Sequence, residues 1–255
     1  QGLKLSACGQ ELGGDLVFGT RLGFSGTPSE LMPLELGACH YERKSDGKMV
    51  SVLTDSTICS SAPLPDKWEA DSVLMRCAKG DLVALIDTGA LVTGYSNKEV
   101  AEALLFGSGK LNQMPALPEE WFDGVVYLDE SDRKMILLRD GSRTLPLEQS
   151  SVPSDRRFTF YDQIHTTGMD IKQPLAACAM ITLGKDLTFR DFAQGAFRMR
   201  EIGRGQRIEL LLIPEVQRLI DDAVGVAAGK RQKELEQERA SRAERASQQE
   251  TVEEH

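Results

Sequence analysis

The chain has little of what builds metal centres and disulfide frameworks. It holds three histidines and five cysteines in 255 residues. The cysteines are Cys8, Cys39, Cys59, Cys77 and Cys178, an odd count with no C-x-x-C pair. Without such spacing or a histidine cluster, neither a zinc site nor a disulfide scaffold is expected. There is no secretory h-region and no apolar run long enough to span a bilayer. Reduced thiols in the cytosol or nucleus, and no membrane partner, are therefore expected. Positive charge is also scarce: 30 Lys and Arg stand against 39 Asp and Glu, a net charge of −9. That balance argues against a broad nucleic-acid surface, which needs a basic stripe. Internal repeats are lacking. The first residue is Gln1 rather than Met, so a piece of a longer protein is expected.

What remains is ordinary for a globular domain: 41% hydrophobic and 27% charged residues, enough for a core. One stretch departs from the acidic average. Between Phe192 and Ile208 the charges are Arg198, Arg200, Arg204 and Arg207 against Glu201. Such a local arginine excess suits either an anion site or a solvated helix face with surface pairs.

The pattern of short apolar runs and helical segments predicts an α/β fold, a mostly parallel sheet flanked by helices. Asp81 to Asp87 reads as a buried strand, ending in Thr88-Gly89-Ala90-Leu91. Ser96 or Asn97 then caps a helix carrying Val100, Ala103 and Leu104 inward. Met49 to Thr54 reads as a short strand, and Trp68 to Cys77 as a helix with one buried face. Gly124 to Asp129 and Lys134 to Arg139 form a hairpin around Glu130-Ser131-Asp132-Arg133. Ala176 to Leu183 is a strand, Thr188 to Met199 a helix, and Ile208 to Ile213 a further strand. The expected organisation is the end of a preceding lobe and its connection over 1–60, the α/β domain over 61–228, and a charged helical or disordered tail over 229–255. The loop after Asp87 is either a tight crossover or an anion-holding turn. Asp87-Thr88-Gly89-Ala90 also spells the active-site tetrapeptide of retroviral-type aspartic proteases. One copy would need a homodimer to bring two carboxylates together.

Two resemblances add to this. His165-Thr166-Thr167-Gly168-Met169-Asp170, then Gln194-Gly195-Ala196-Phe197-Arg198, then Gly203-Arg204-Gly205, is similar to the fifth and sixth motifs of superfamily-two helicases. Phe24-Ser25-Gly26-Thr27-Pro28 resembles the third motif of that family, in the same order along the chain. The resemblance implies a RecA-like second lobe, with Gly168, Asp170, Gln194, Arg198 and Arg204 around an anion or nucleotide. ATP with magnesium is implied as cofactor when the preceding lobe is present. A guanidinium there would neutralise charge on a transferred phosphoryl group. The family's further arginine, seven residues after the Gln, is replaced by Glu201.

The strings TFYDQIHTTGMDIKQ, LGKDLTFRDFAQGAFRMR and IGRGQRIELLLIPEV also resemble the C-terminal part of very large eukaryotic proteins grouped with ubiquitin thioesterases. That likeness implies a cysteine-type ubiquitinyl hydrolase acting on ubiquitin or a ubiquitinated protein. A thiol peptidase needs an activated Cys beside a His. Cys178, His165 and the neighbouring Cys39 and His40 are the candidates. Cys178 lies in an apolar run, and no cysteine has a recognisable nucleophile motif, so the nucleophile is expected outside this segment. Regulatory use of the helicase-like lobe, an ATPase module, and a non-catalytic interaction module all stay open.

Overall fold

The computed structural model describes residues 45–79, 81–110, 114–166 and 169–231. The Phe24 to Pro28 turn, the Cys39–His40 pair, Gly168 and the tail beyond 231 lie outside the described residues. Contacts divide the chain into two compact units, Gln1–Ile213 and Pro214–His255. The division falls at Pro214, where a new helix begins, rather than at residue 229. Proline suits a first helical position because its missing N–H would find no intrahelical partner there.

The first unit is built on one eight-stranded sheet. Its elements run α1 (Ser45–Thr54), β1 (Cys59–Pro63), α2 (Ala70–Ala78), β2 (Ala84–Ile86), α3 (Asn97–Phe106), β3 (Gly124–Leu128), β4 (Lys134–Leu138), β5 (Thr144–Pro146), β6 (Arg157–Tyr161), β7 (Cys178–Thr182), α4 (Phe189–Ala196) and β8 (Arg207–Leu212). The spatial order is β1-β8-β7-β2-β6-β3-β4-β5. The six strands from β1 to β3 pair in parallel, and the β3–β4–β5 meander adds two antiparallel strands at one edge. The expected mostly parallel α/β sheet is thus present.

Strand composition follows from the layering. The central strands β2 and β3 are buried at every position, so they read as unbroken apolar runs rather than alternating ones. Ala84, Ile86, Ala179, Ile181, Val126 and Leu128 share one core with Met49 and Leu53 of α1 and Ala193 and Ala196 of α4. Alternate strand residues point the other way. On that side Cys77 of α2 meets Met180 at 3.7 Å, and Val100, Ala103 and Leu104 of α3 are fully enclosed.

The Met49 to Thr54 segment is helical, not a strand. Met49 and Leu53 are four residues apart and buried while Val50 is exposed, a helical spacing. Its valines favour strand only where a sheet offers a place for them. Helix α3 starts where expected. Ser96 accepts from the Glu99 amide while Glu99 accepts from the Ser96 amide, a complete capping box. Residues 214–231 are helical and, past Gln217, exposed throughout.

One internal brace had no sequence signal. Arg139 follows β4 and donates to three main-chain carbonyls, those of Phe122, Leu105 and Leu117, at 3.1, 2.8 and 2.9 Å. A guanidinium is suited to this because its five N–H groups fan out in one plane.

Candidate functional site

The parallel register fixes where polar groups gather. Ile86 is level with Ile181 of β7 and with Tyr161 of β6. The residues just beyond, Asp87, Thr182 and Asp162, therefore lie side by side at the carboxyl edge of the sheet. Open α/β sheets carry their sites at this edge, because the strands stop there and the loops diverge.

Asp87 is 3% exposed, yet it is fully engaged. Its carboxylate accepts the Thr182 hydroxyl at 2.6 Å and the amides of Leu91 and Val92 at 2.9 and 3.0 Å. The Thr182 hydroxyl in turn accepts the Gly89 amide at 2.9 Å. Burial pushes the Asp87 carboxyl above its ordinary value, opposed by these hydrogen bonds. Ala90 takes a left-handed backbone, φ 52°, to turn the two amides back onto the carboxylate. The glycine loop is thus a tight crossover whose anion is Asp87 itself. An aspartic-protease reading needs an open carboxylate facing a second one, and Asp87 offers no free face.

Beside this knot lies a polar cleft of about 370 Å³, lined by Thr88, Gly89, Gln163, Lys185, Asp191 and Gln194 among others. Two backbone approaches shape it. A Cβ at Gly89 would stand 2.6 Å from the Gly184 nitrogen, and one at Gly195 would stand 2.6 Å from the Thr88 hydroxyl. Only glycine allows contacts this close. The Thr88 hydroxyl is buried without a hydrogen-bond partner. Asp191 is tied to the start of α4: it accepts from Thr188, which holds its carboxyl below the ordinary range.

The helicase-like positions separate. Gln194 lines the cleft. Arg198 does not join it: α4 ends at Ala196, and the Arg198 guanidinium is buried, donating to the Met169 carbonyl and, at 3.3 Å, to the Gln194 carbonyl. The expectation that Gln194 and Arg198 point together assumed a helix continuing to Met199. Asp170 accepts from Arg200 at 3.0 Å, so the turn and the arginine-rich segment brace each other. Arg204 is half exposed and stands 3.8 Å from Glu201. Arg190 of α4 is exposed and lies 3.7 Å from Asp191.

The thiol candidates also separate. Cys178 opens β7, level with Arg207 and one residue before the Ala179–Ala84 pair, whereas His165 follows the opposite end of β6. The two therefore lie at opposite edges of the sheet. Burial pushes the Cys178 thiol up to about 11, and Cys59 likewise to about 11. Cys77 is raised further by complete burial. A thiolate is the nucleophilic form, so these environments disfavour thiol chemistry.

His165 sits in a polar turn beside Asp162, and only its distant partner has no signal in the sequence. Its Nδ1 meets Asp162, three residues back, and its Nε2 meets Asp132 of the distant β3–β4 turn at 2.8 Å. A second cleft, about 660 Å³, lies between that turn, the start of α3 and the Ile164–Thr166 turn. Among the described residues no group of three or more His, Cys, Asp or Glu is arranged to hold a metal ion. No described helix is long and apolar enough to cross a membrane. No family model matches the chain, and neither a curated protein nor a solved structure is significantly similar to it.

Proposed function

We propose that this chain is a lobe of the helicase second-lobe type used as a binding module rather than as an ATP hydrolase. The observation that carries the reading is the use of its arginines. Arg198, within the resembling motif, and Arg200, just after it, are engaged by the Met169 carbonyl and the Asp170 carboxylate. A guanidinium fixed on an internal acceptor is not aimed at a ligand's phosphate. The polar cleft keeps hydroxyl and amide groups with one lysine, Lys185, near one free-standing carboxylate, Asp186. Groups of that kind suit hydrogen bonding to a polar partner surface better than phosphoryl transfer.

The larger family resemblance makes ubiquitin or a ubiquitinated protein the first partner to test. Thiol-dependent hydrolysis by these described residues has no geometric support, since no described cysteine lies beside His165. Nucleotide binding with ATP and magnesium is the second reading, favoured by Gln194 lying with Lys185 in one cleft. The deciding experiment follows the backbone amide signals of Gln194 and Lys185 and the side-chain amide of Gln194 by NMR. Ubiquitin, a ubiquitin conjugate and ATP with magnesium are titrated in turn, and phosphate release is measured in parallel. Shifts with ubiquitin or its conjugate and no turnover are expected. Phosphate release lost in Gln194→Ala would establish the nucleotide reading instead. Absence of shifts with every ligand would remove both.

A further inference from the structure

The deepest unused chemistry is the imidazole of His165. It is 7% exposed, and each of its ring nitrogens faces a carboxylate oxygen: Asp162 on one side, Asp132 at 2.8 Å on the other. An ionised carboxylate only accepts, and a neutral imidazole has a single N–H to give. Two such bonds at once require a proton on both nitrogens. When one proton leaves, one of the two contacts becomes oxygen against a bare ring nitrogen, and it must loosen.

The two carboxylates are held differently. Asp162 directly follows β6, and its side chain is 19% exposed. Asp132 sits at the β3–β4 turn with its side chain 68% exposed and a left-handed backbone, φ 58°. The rest of that turn closes on itself without His165. Asp129 accepts the amides of Ser131 and Arg133 and pairs with the Arg133 guanidinium at 2.7 Å, and the Asp132 amide donates to the Asp129 carbonyl. Asp132 is therefore the partner that can swing away. The turn carrying His165 also stands between the two clefts: Gln163 and Thr166 line one, and Asp162, Ile164 and His165 line the other.

We propose that His165 is a pH-sensitive clamp: doubly protonated, it ties the β3–β4 turn to the loop after β6, and on losing a proton it frees Asp132 and opens the larger cleft. The charges around it are accounted for. Asp129, Glu130 and Arg133 of the hairpin and Lys98 of α3 line the same cleft, as does Tyr127. Asp87, at the end of β2, is close enough to feel the charge of Asp162. Arg133 is already matched by Asp129, so acidic groups predominate around the imidazole. Burial alone would lower its pKa, but the hydrogen bonds and charges of Asp132 and Asp162 outweigh burial and leave it raised. Stability from the clamp is thus complete below the ordinary histidine value and lost as pH rises through the higher folded-state value.

The test uses the full chain. The His165 ring is titrated by heteronuclear NMR, and amide hydrogen exchange is followed at 129–133 and 164–166 from pH 5.5 to 9, corrected for intrinsic rates. In the native protein both ring nitrogens should carry protons at pH 6, with a midpoint above the ordinary value of about 6.5. Protection at both turns should fall through that midpoint, as the contact that joins them is lost. Asp132→Asn keeps a residue tolerant of the left-handed backbone, so the hairpin should stay formed while the midpoint drops and the step vanishes. Asp162→Asn supplies a second variant with the same expected drop. A midpoint at or below the ordinary value, no exchange step, or a step retained in Asp132→Asn would each overturn the clamp.

Discussion

Two buried ionisable groups at the carboxyl edge of the sheet are stabilised by different means. Asp87 is held by neutral donors: one hydroxyl and two main-chain amides. His165 is held by opposite charges, one of them on an exposed and self-sufficient turn. The first arrangement cannot be undone without stranding buried N–H groups, so Asp87 is a fixed part of the fold. The second depends on a proton, so His165 can be released at modest cost. Charge met by main-chain dipoles gives rigidity, and charge met by charge gives a contact that pH and salt can adjust.

The largest effect expected from this contrast is at Asp87. Asp87→Ala removes the acceptor of three donors and should destabilise the protein by about 3 kcal/mol, as a broken buried network does. Urea unfolding would measure it, and a loss below about 1 kcal/mol would mean water replaces the carboxylate. Arg139 applies the same rule with reversed sign, a cation met by carbonyls. Arg139→Leu should cost about 2 kcal/mol through its three orphaned acceptors, read from the same unfolding curves.

A smaller effect is expected at the clamp, and it depends on pH. His165→Asn should destabilise by about 1 kcal/mol below pH 6.5, since one partner is exposed and screened. Because the folded-state value is raised, the difference should shrink to a few tenths of a kcal/mol once pH has risen past it. Equal losses at pH 6 and pH 9 would make His165 a packing residue only. Salt separates the pair further. Sodium chloride at about 0.5 M should lower the His165 midpoint and leave the Asp87→Ala penalty unchanged, because exposed charges are screened and enclosed dipoles are not. Last, Ala90→Gly should stabilise by about 0.5–1 kcal/mol, since alanine bears a left-handed backbone that glycine adopts freely. Thermal unfolding would register that gain, and a loss would show that the Ala90 methyl packs usefully.

Local patterns determined a good part of this molecule on their own. The α/β class, strands at β2, β7 and β8, the β3–β4 hairpin and the Ser96 cap all rest on interactions within a few residues, so composition and spacing carry them. Met49 to Thr54 went the other way: its β-branched residues fit a strand, and only the sheet's covered face selects the helix that buries Met49 and Leu53 together. Which residues meet across the carboxyl edge was a tertiary matter throughout. Asp87 finds Thr182, His165 finds Asp132, and Arg200 finds Asp170 at sequence separations of 95, 33 and 30. The sheet order puts β7 and β6 on either side of β2 and places the hairpin turn over the loop after β6. No periodicity encodes that order, because the pairing of parallel strands is chosen by how whole layers pack and not by the residues of any one strand.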